Sequence, residues 1–205
     1  MAIRILDVFF SLLLLLFLSP ILIIIAFLLF LERKGGVLFI QVRVGKDEQK
    51  FNLYKFRTMV KDNNFKGTIN DLNFLNLSYE EKLHLRKKYK TTTLNDDRVT
   101  NLGRILRKTN FDEIPQLFNV FLGEMSLVGP RPDVQIQEVD YKKEDWKKRT
   151  SIKPGLTGLS QINGRSELSL EDRVKFDNQL VDNLNLKNYL GILFKTLFVF
   201  FGNSN

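Results

Sequence analysis

The strongest pattern in the chain comes first: from Val8 to Leu31 no residue carries a charge, and the run is apolar on every side. Coiled as a helix, such a run of about 24 residues reaches roughly 36 Å, enough for a bilayer core of ~30 Å. A helix with no polar side has no face to offer water, so a membrane segment is expected rather than a buried helix of a soluble domain. A cleaved signal peptide has a shorter apolar region and small residues after it, whereas "LFLERKGG" follows here. Pro20 interrupts the run. It has no N–H for the carbonyl of Leu16 and its ring crowds that carbonyl, which predicts a bend or break between Ser19 and Ile21. Ser19 can bond a carbonyl one turn back, adding to the bend. Two outcomes stay open: a Pro-kinked spanning helix, or a re-entrant one that dips into a leaflet and returns. Arg4 before the run and Arg33-Lys34 after it favour the cytosol for both ends, and hence re-entry.

Beyond Gly35-Gly36, "VLFIQVRV" (37–44) and "KFNLYKFRTM" (50–59) are rich in β-branched and aromatic residues and predict a hairpin across "GKDEQ". Residues 60–77 show no period and predict a loop. Ser78 with Glu81 forms a capping-box signature at the head of a basic-ended helix over 78–90. Further helices are predicted over 100–108 and 110–124, the second with Asn110 or Asp112 near its cap and Gly123 near its end. Segment 126–133 predicts a loop, Pro132-Asp133 the start of a helix through 149, and 151–165 a Gly-punctuated loop, followed by helices over 169–182 and 185–201. The last is apolar on most faces, so it packs on the anchor or lies in the membrane interface. The pattern as a whole is α/β, mainly helical. A membrane anchor over 1–34, broken at Ser19-Pro20, precedes one domain over 35–205 with a short β-hairpin and surface-lying amphipathic helices.

Charge narrows the partners. With 31 Lys+Arg against 23 Asp+Glu the net charge is +8, which suits an anionic membrane surface, a phosphorylated substrate or nucleic acid. The basic runs 86–90 and 142–149 lack the interleaved aromatics of a single-strand groove and read as solvated or membrane-facing, so nucleic acid is not an expected partner. There is no cysteine, which excludes disulfides and thiolate zinc and fits the cytosol. The single histidine, His84, sits in a charged helix and makes a zinc centre improbable.

Asp112-Glu113 is the sharpest chemical feature, two carboxylates at a helix start beside "SLVGPRP". Adjacent helical residues point about 100° apart, so separate roles are expected rather than a shared proton. Compensation of a helix dipole is the plainer account of the pair. Pro130 and Pro132 bracket Arg131 in a stiff loop that can fix a guanidinium for a phosphate, although such loops also occur as plain surface turns. "KPGLTGLSQINGR", ending at Arg165, offers N–H groups, hydroxyls and amides to an anionic ligand without being a Walker loop.

"SP" in the anchor, "KFRTM", "NDDRVTNLGRILRKTNFDEIPQLFNVFLGEMSLVGPRPD" and "KPGLTGLSQINGR" stand here in the order seen in the bacterial sugar transferases, and the chain resembles that family over nearly its whole length. These are monotopic phosphoglycosyl transferases, and the likeness is to their small, minimal-domain type. Asp97 stands where the family more often has proline, and residues 63–93 are longer than in the smallest members. The resemblance implies transfer of a sugar-1-phosphate from a UDP-sugar to polyprenyl (undecaprenyl) phosphate, with release of UMP, at the cytoplasmic face of the bacterial plasma membrane. It also implies a re-entrant helix at Ser19-Pro20. Asp112 would attack the β-phosphorus to form a phosphosugar-enzyme intermediate. Glu113 would bind metal or orient, Mg²⁺ would be the cofactor at Asp112 and Glu113, and Arg131 would clamp phosphate. Lys55, Arg57, Arg104, Arg107, Pro130 and Arg165 would complete the phosphate and nucleotide site. The sequence is compatible with a homo-oligomer. A membrane-tethered scaffold without chemistry is the rival reading, and it would tolerate loss of both carboxylates.

Overall fold

The computed structural model describes residues 1–60, 77–89, 96–164 and 167–202. The loop expected over 60–77 falls almost wholly outside them, as does Arg165. The apolar run forms α1, Ala2–Glu32, in which helix runs on through Pro20. The physical reason is local. Pro20 leaves the carbonyl of Leu16 without its usual N–H, and Ser19 Oγ donates to that same carbonyl at 2.8 Å.

Both ends of α1 are tied to the rest of the molecule. Near the start, Arg4 donates to the carbonyls of Val120 (2.6 Å) and Phe121 (2.7 Å), and buried Asp7 accepts from Ser126 Oγ, the Leu127 N–H and Tyr189 Oη. Near the end, Arg57 Nη2 donates to the carbonyl of Leu29 at 2.9 Å and to Glu32 at 2.8 Å. Between these ties Leu6, Phe10 and Leu18 pack on a core of Leu117, Val120, Met125, Leu127, Tyr189 and Ile192. Ile25 and Leu29 close a second cluster with Phe56 and Leu106. The outer side of α1, including Phe17, Ile23, Phe27 and Phe30, is exposed.

The hairpin forms as expected: β1 (Leu38–Val44) pairs antiparallel with β2 (Lys50–Phe56), in register from Leu38 opposite Phe56 to Val44 opposite Lys50. Strand β2 ends three residues early, and Met59 instead makes an isolated bridge to Val99. Helix α2 (Tyr79–Lys88) has the full capping box of Ser78 and Glu81, and α3 (Asn101–Thr109) is capped by Thr100 Oγ1 on the Gly103 N–H.

Three expectations need correction. The helix predicted over 110–124 is a single 3₁₀ turn, Phe111–Glu113, followed by α4 (Gln116–Leu122). Asn110 in the left-handed region (φ 57°) ends α3, and Pro115, lacking an N–H, opens α4 rather than continuing a helix. The helix from Pro132 is likewise two pieces, a 3₁₀ stretch over Gln135–Asp140 and then α5 (Lys143–Thr150), parted by extended Tyr141. The two segments read as loops contribute β3 (Ser126–Val128) and β4 (Gly155–Thr157), which pair in parallel, and a short α6 (Leu159–Ile162). Helices α7 (Leu170–Asp182) and α8 (Leu186–Gly202) stand where the pattern puts them. Helix α8 packs inward through Tyr189 and Ile192, which enter the core, while Leu190, Phe194, Leu197 and Phe198 face outward.

Candidate active site

Three pieces of chain meet at the Asp112-Glu113 turn: the end of β2, the last turn of α3 and the loop after β3. The turn exists because Asn110 reverses the chain, and its 3₁₀ bonds run from the Glu113 N–H to Asn110 and from the Ile114 N–H to Phe111. Asp112 is 9 % exposed. Burial pushes its carboxyl above the ordinary aspartate range, opposed by Lys55 and Arg107 and reinforced by Glu113. Glu113 is held the other way. Burial would raise it, but Arg131 and Lys55 overcome that and keep it well below the usual glutamate range. Its Oε1 accepts from Lys55 Nζ at 2.7 Å and from Arg131 Nη2 at 2.6 Å. The separate roles expected of the pair thus have a physical basis, one carboxylate hard to ionise and one locked as an anion.

Each cation arrives by its own route. Lys55 sits near the end of β2, and burial lowers its ammonium while Glu113 raises it. Arg107 lies one turn from Asp112 in sequence and donates from Nε to Thr58 Oγ1 at 2.8 Å. That contact depends on Gly103, since a Cβ there would collide with the carbonyl of Thr58, so only glycine lets α3 press against the end of the hairpin. Arg131 is carried by Gly129-Pro130-Arg131-Pro132, which leaves β3 where it meets β4. Gly129 and Gly155 touch so closely that a Cβ on either would overlap the other's backbone.

Of the residues singled out in the sequence, Asp112, Glu113, Lys55, Arg107 and Arg131 come together, with buried Pro130 beside them. Arg57 does not join them. It shares the strand's basic character with Lys55, but its guanidinium ties Glu32 and Leu29 of α1, with Nε and Nη1 buried and unpartnered. Arg104 is exposed on α3, one turn before Arg107. Ser19 and Pro20 lie in α1 and serve the helix itself.

Sequence reasoning missed two residues here. Arg43 donates from Nη1 to the carbonyl of Pro132 at 3.0 Å, its Nε is buried without a partner, and its charge is felt by Arg131 and Glu113. The signal was present as a lone cation inside the β-branched strand "VRV". Arg149, in a run read as solvated or membrane-facing, is instead 5 % exposed and bonded to Asp133 and Asp177. Sequence alone did not show that one residue of that basic helix turns inward.

Among the described residues no group of three or more His, Asp or Glu side chains gathers to hold a metal. The carboxylate pair still fits Mg²⁺, which takes one or two protein carboxylates and completes its shell with water and substrate phosphate oxygens. Asp112 and the outer oxygen of Glu113, Oε2, which accepts only a long bond of 3.4 Å from Arg131 Nη1, are the donors that fit. The inner oxygen is already taken by two cations.

A long apolar helix is strapped to a small domain, and the carboxylate pair stands among Lys55, Arg43, Arg107 and Arg131. The chain belongs to the bacterial sugar transferase family, whose model matches residues 1–203. It is 40% identical over 185 residues to the UDP-galactose-lipid carrier transferase of Erwinia amylovora, covering 88% of this chain and 36% of that one. It is 38% identical over 196 residues to the undecaprenyl-phosphate galactose phosphotransferase of Salmonella typhimurium, covering 94% and 39%. With the exopolysaccharide production protein ExoY of Rhizobium meliloti it shares 40% identity over 200 residues, covering 96% and 84%. The chain therefore spans about two fifths of the length of the first two relatives and most of the third.

Proposed function

We propose that the chain is a phosphoglycosyl transferase that moves a sugar-1-phosphate from a UDP-sugar to undecaprenyl phosphate and releases UMP. The observation that carries the reading is the buried Asp112 carboxylate beside the Glu113, Lys55 and Arg131 cluster, in a family whose relatives are named as undecaprenyl-phosphate sugar phosphotransferases. In the first displacement an Asp112 oxygen bonds to the β-phosphorus of the donor. The bond from that phosphorus to the bridging oxygen breaks, and UMP leaves with the oxygen and its electron pair. In the second, an oxygen of the lipid phosphate bonds to the same phosphorus, and the Asp112 carboxylate leaves unchanged. Covalent catalysis of this kind divides one transfer between two anions into two displacements by a positioned nucleophile.

Lys55, Arg107 and Arg131 supply the positive field in which a diphosphate and a carboxylate approach each other. Glu113 keeps Lys55 and Arg131 in place by pairing with both. Mg²⁺ held at Asp112 and Glu113 Oε2 would neutralise part of the diphosphate charge.

The reading extends to the membrane. If α1 crossed the bilayer, its two ends would lie on opposite sides, yet Arg4 and Asp7 at one end and Leu29 and Glu32 at the other bond to the same domain. That arrangement supports a re-entrant α1 with both ends at the cytoplasmic face, where a water-soluble donor and a lipid-borne phosphate both reach Asp112. The test is UMP release by purified protein given undecaprenyl phosphate, Mg²⁺ and a panel of UDP-sugars. Release with one donor, lost in Asp112→Asn, is the expected result. Release that survives Asp112→Asn removes the nucleophile from its role, and folded protein silent on the whole panel favours the scaffold.

A further inference from the structure

Residues 130–133 form no regular element, yet all four carbonyls are bonded, from three separate parts of the fold. Pro130 accepts from the Gly155 N–H at 2.9 Å, Arg131 from Arg149 Nη2 at 2.9 Å, Pro132 from Arg43 Nη1 at 3.0 Å and Asp133 from the Val44 N–H at 2.9 Å. The carbonyl of Arg131, the residue whose side chain reaches Glu113, is the one held from α5.

Arg149 is itself locked. Nη1 bonds Asp133 Oδ2 at 2.8 Å, while Nε and Nη2 bond Asp177 Oδ2 at 3.3 and 3.2 Å. Tyr141 Oη donates to Asp133 at 2.6 Å, Ser160 Oγ to Asp177 at 3.0 Å, and the guanidinium lies 4.7 Å from the centre of the Tyr141 ring. The side chains of Arg149, Asp133 and Asp177 are at most 4 % exposed, so no ligand reaches them. A buried ionic cluster is poor value for stability, because well-packed apolar groups commonly do as well; what a planar fork of donors provides is direction.

We infer that Arg149 is a positioning residue that sets where the Arg131 guanidinium stands, by holding the Arg131 carbonyl against a frame of Asp133, Asp177 and Tyr141. This rests on the reading that Arg131 contacts the donor diphosphate. A lysine at 149 keeps the charge but, with a single point of donation, cannot hold both carboxylates and the carbonyl at once.

The experiment is a double-mutant cycle on the full chain in detergent with Mg²⁺, using UDP as the probe and calorimetry for Kd. Arg149→Lys is expected to weaken UDP about tenfold in the native background and less than about twofold in Arg131→Gln, because residues acting through one another are not additive. Tyr141→Phe removes one hydroxyl and keeps the ring. It is expected to weaken UDP about threefold, again only when Arg131 is present. Tyr141→Phe decides the matter if Arg149→Lys does not fold. Folded variants that bind UDP as the native chain does, or penalties equal in both backgrounds, overturn the inference. Arg131→Gln that binds UDP normally removes the clamp reading and this inference with it. Weakening by Arg131→Gln alone strikes only the role of Arg149.

Discussion

Arg131 stands between two charged clusters, and the contrast between them separates chemistry from support. On its side-chain face, Lys55, Arg43, Arg107 and Arg131 stand about Asp112 and Glu113, with Asp96 also acting on Arg107 and Asp133 on Arg43 and Arg131, and the Arg131 side chain is 41% exposed. On its backbone face, Arg149 and Arg173 meet Asp133 and Asp177, charge for charge, with Arg173 3.8 Å from Asp133. The first cluster opens to solvent at Arg131, as an incoming ligand requires. The second is balanced and closed. A group with access can act on a substrate, whereas one that is satisfied internally can act only on its neighbours.

The largest expected effect cuts this contrast at its sharpest point. Asp112→Asn should lower UMP release by about 10⁴-fold or more, the scale on which loss of a nucleophile is felt. Thermal unfolding of that variant should stay level or rise slightly, since burial already disfavours the Asp112 anion. Asp133→Asn should do the reverse in kind. Removing one partner of a buried pair costs about 3–5 kcal/mol, to be read by urea unfolding. A variant of Asp133 that unfolds like the native chain would erase the distinction between the clusters.

Glu113→Gln leaves Lys55 and Arg131 without their anion and should cost about 1–3 kcal/mol. The pH dependence has a definite sign for each carboxylate. Glu113 is depressed in the folded chain, so its contribution to stability is full above the ordinary glutamate pKa of about 4.3 and is lost as pH falls toward the depressed value. Asp112 is raised and, as the proposed nucleophile, would react as the anion, so turnover should climb as pH rises through its raised pKa. Unfolding curves across acid pH and a pH–rate profile check the two separately.

The smallest effect is expected at Pro20. Pro20→Ala restores an N–H for the Leu16 carbonyl, which Ser19 already serves, while the ties at Arg4, Asp7, Leu29 and Glu32 remain. Because the chain has no cysteine, single cysteines at Ala2 and Lys34 report sidedness cleanly. Both should label from the cytoplasmic side with and without Pro20. Labelling of one alone would show a spanning helix and break the re-entrant reading.

Much of the architecture is local and was legible as such. The long uncharged run, the Ser78 capping box, the β-branched and aromatic hairpin strands and the last two helices follow from composition, periodicity and end signals within a few residues, and each stands in the molecule. Asp112, Glu113 and Arg131 were legible as candidates from the adjacent carboxylates and the proline-bracketed arginine, and Lys55 and Arg107 only through the resemblance to the bacterial sugar transferases. What sequence alone could not assign was destination. Lys55 in β2 and Arg57 just past its end are two residues apart, yet one meets Glu113 and the other Glu32. Arg149 sits in a run of lysines and turns inward, while Lys147 beside it is exposed. The strands β3 and β4, three residues each and nearly thirty apart, carry no local signal because what holds them, each other and partners such as Asp7 and Thr196, lies far away in the chain. Residue type and spacing by themselves determined the long apolar helix, most of the other helices, the hairpin and the candidates Asp112, Glu113 and Arg131, since those depend on neighbours along the chain. Which carboxylate is buried, which is paired and which arginine holds the loop were decided only in three dimensions, where burial and the nearest opposite charge fix what an ionisable group can do.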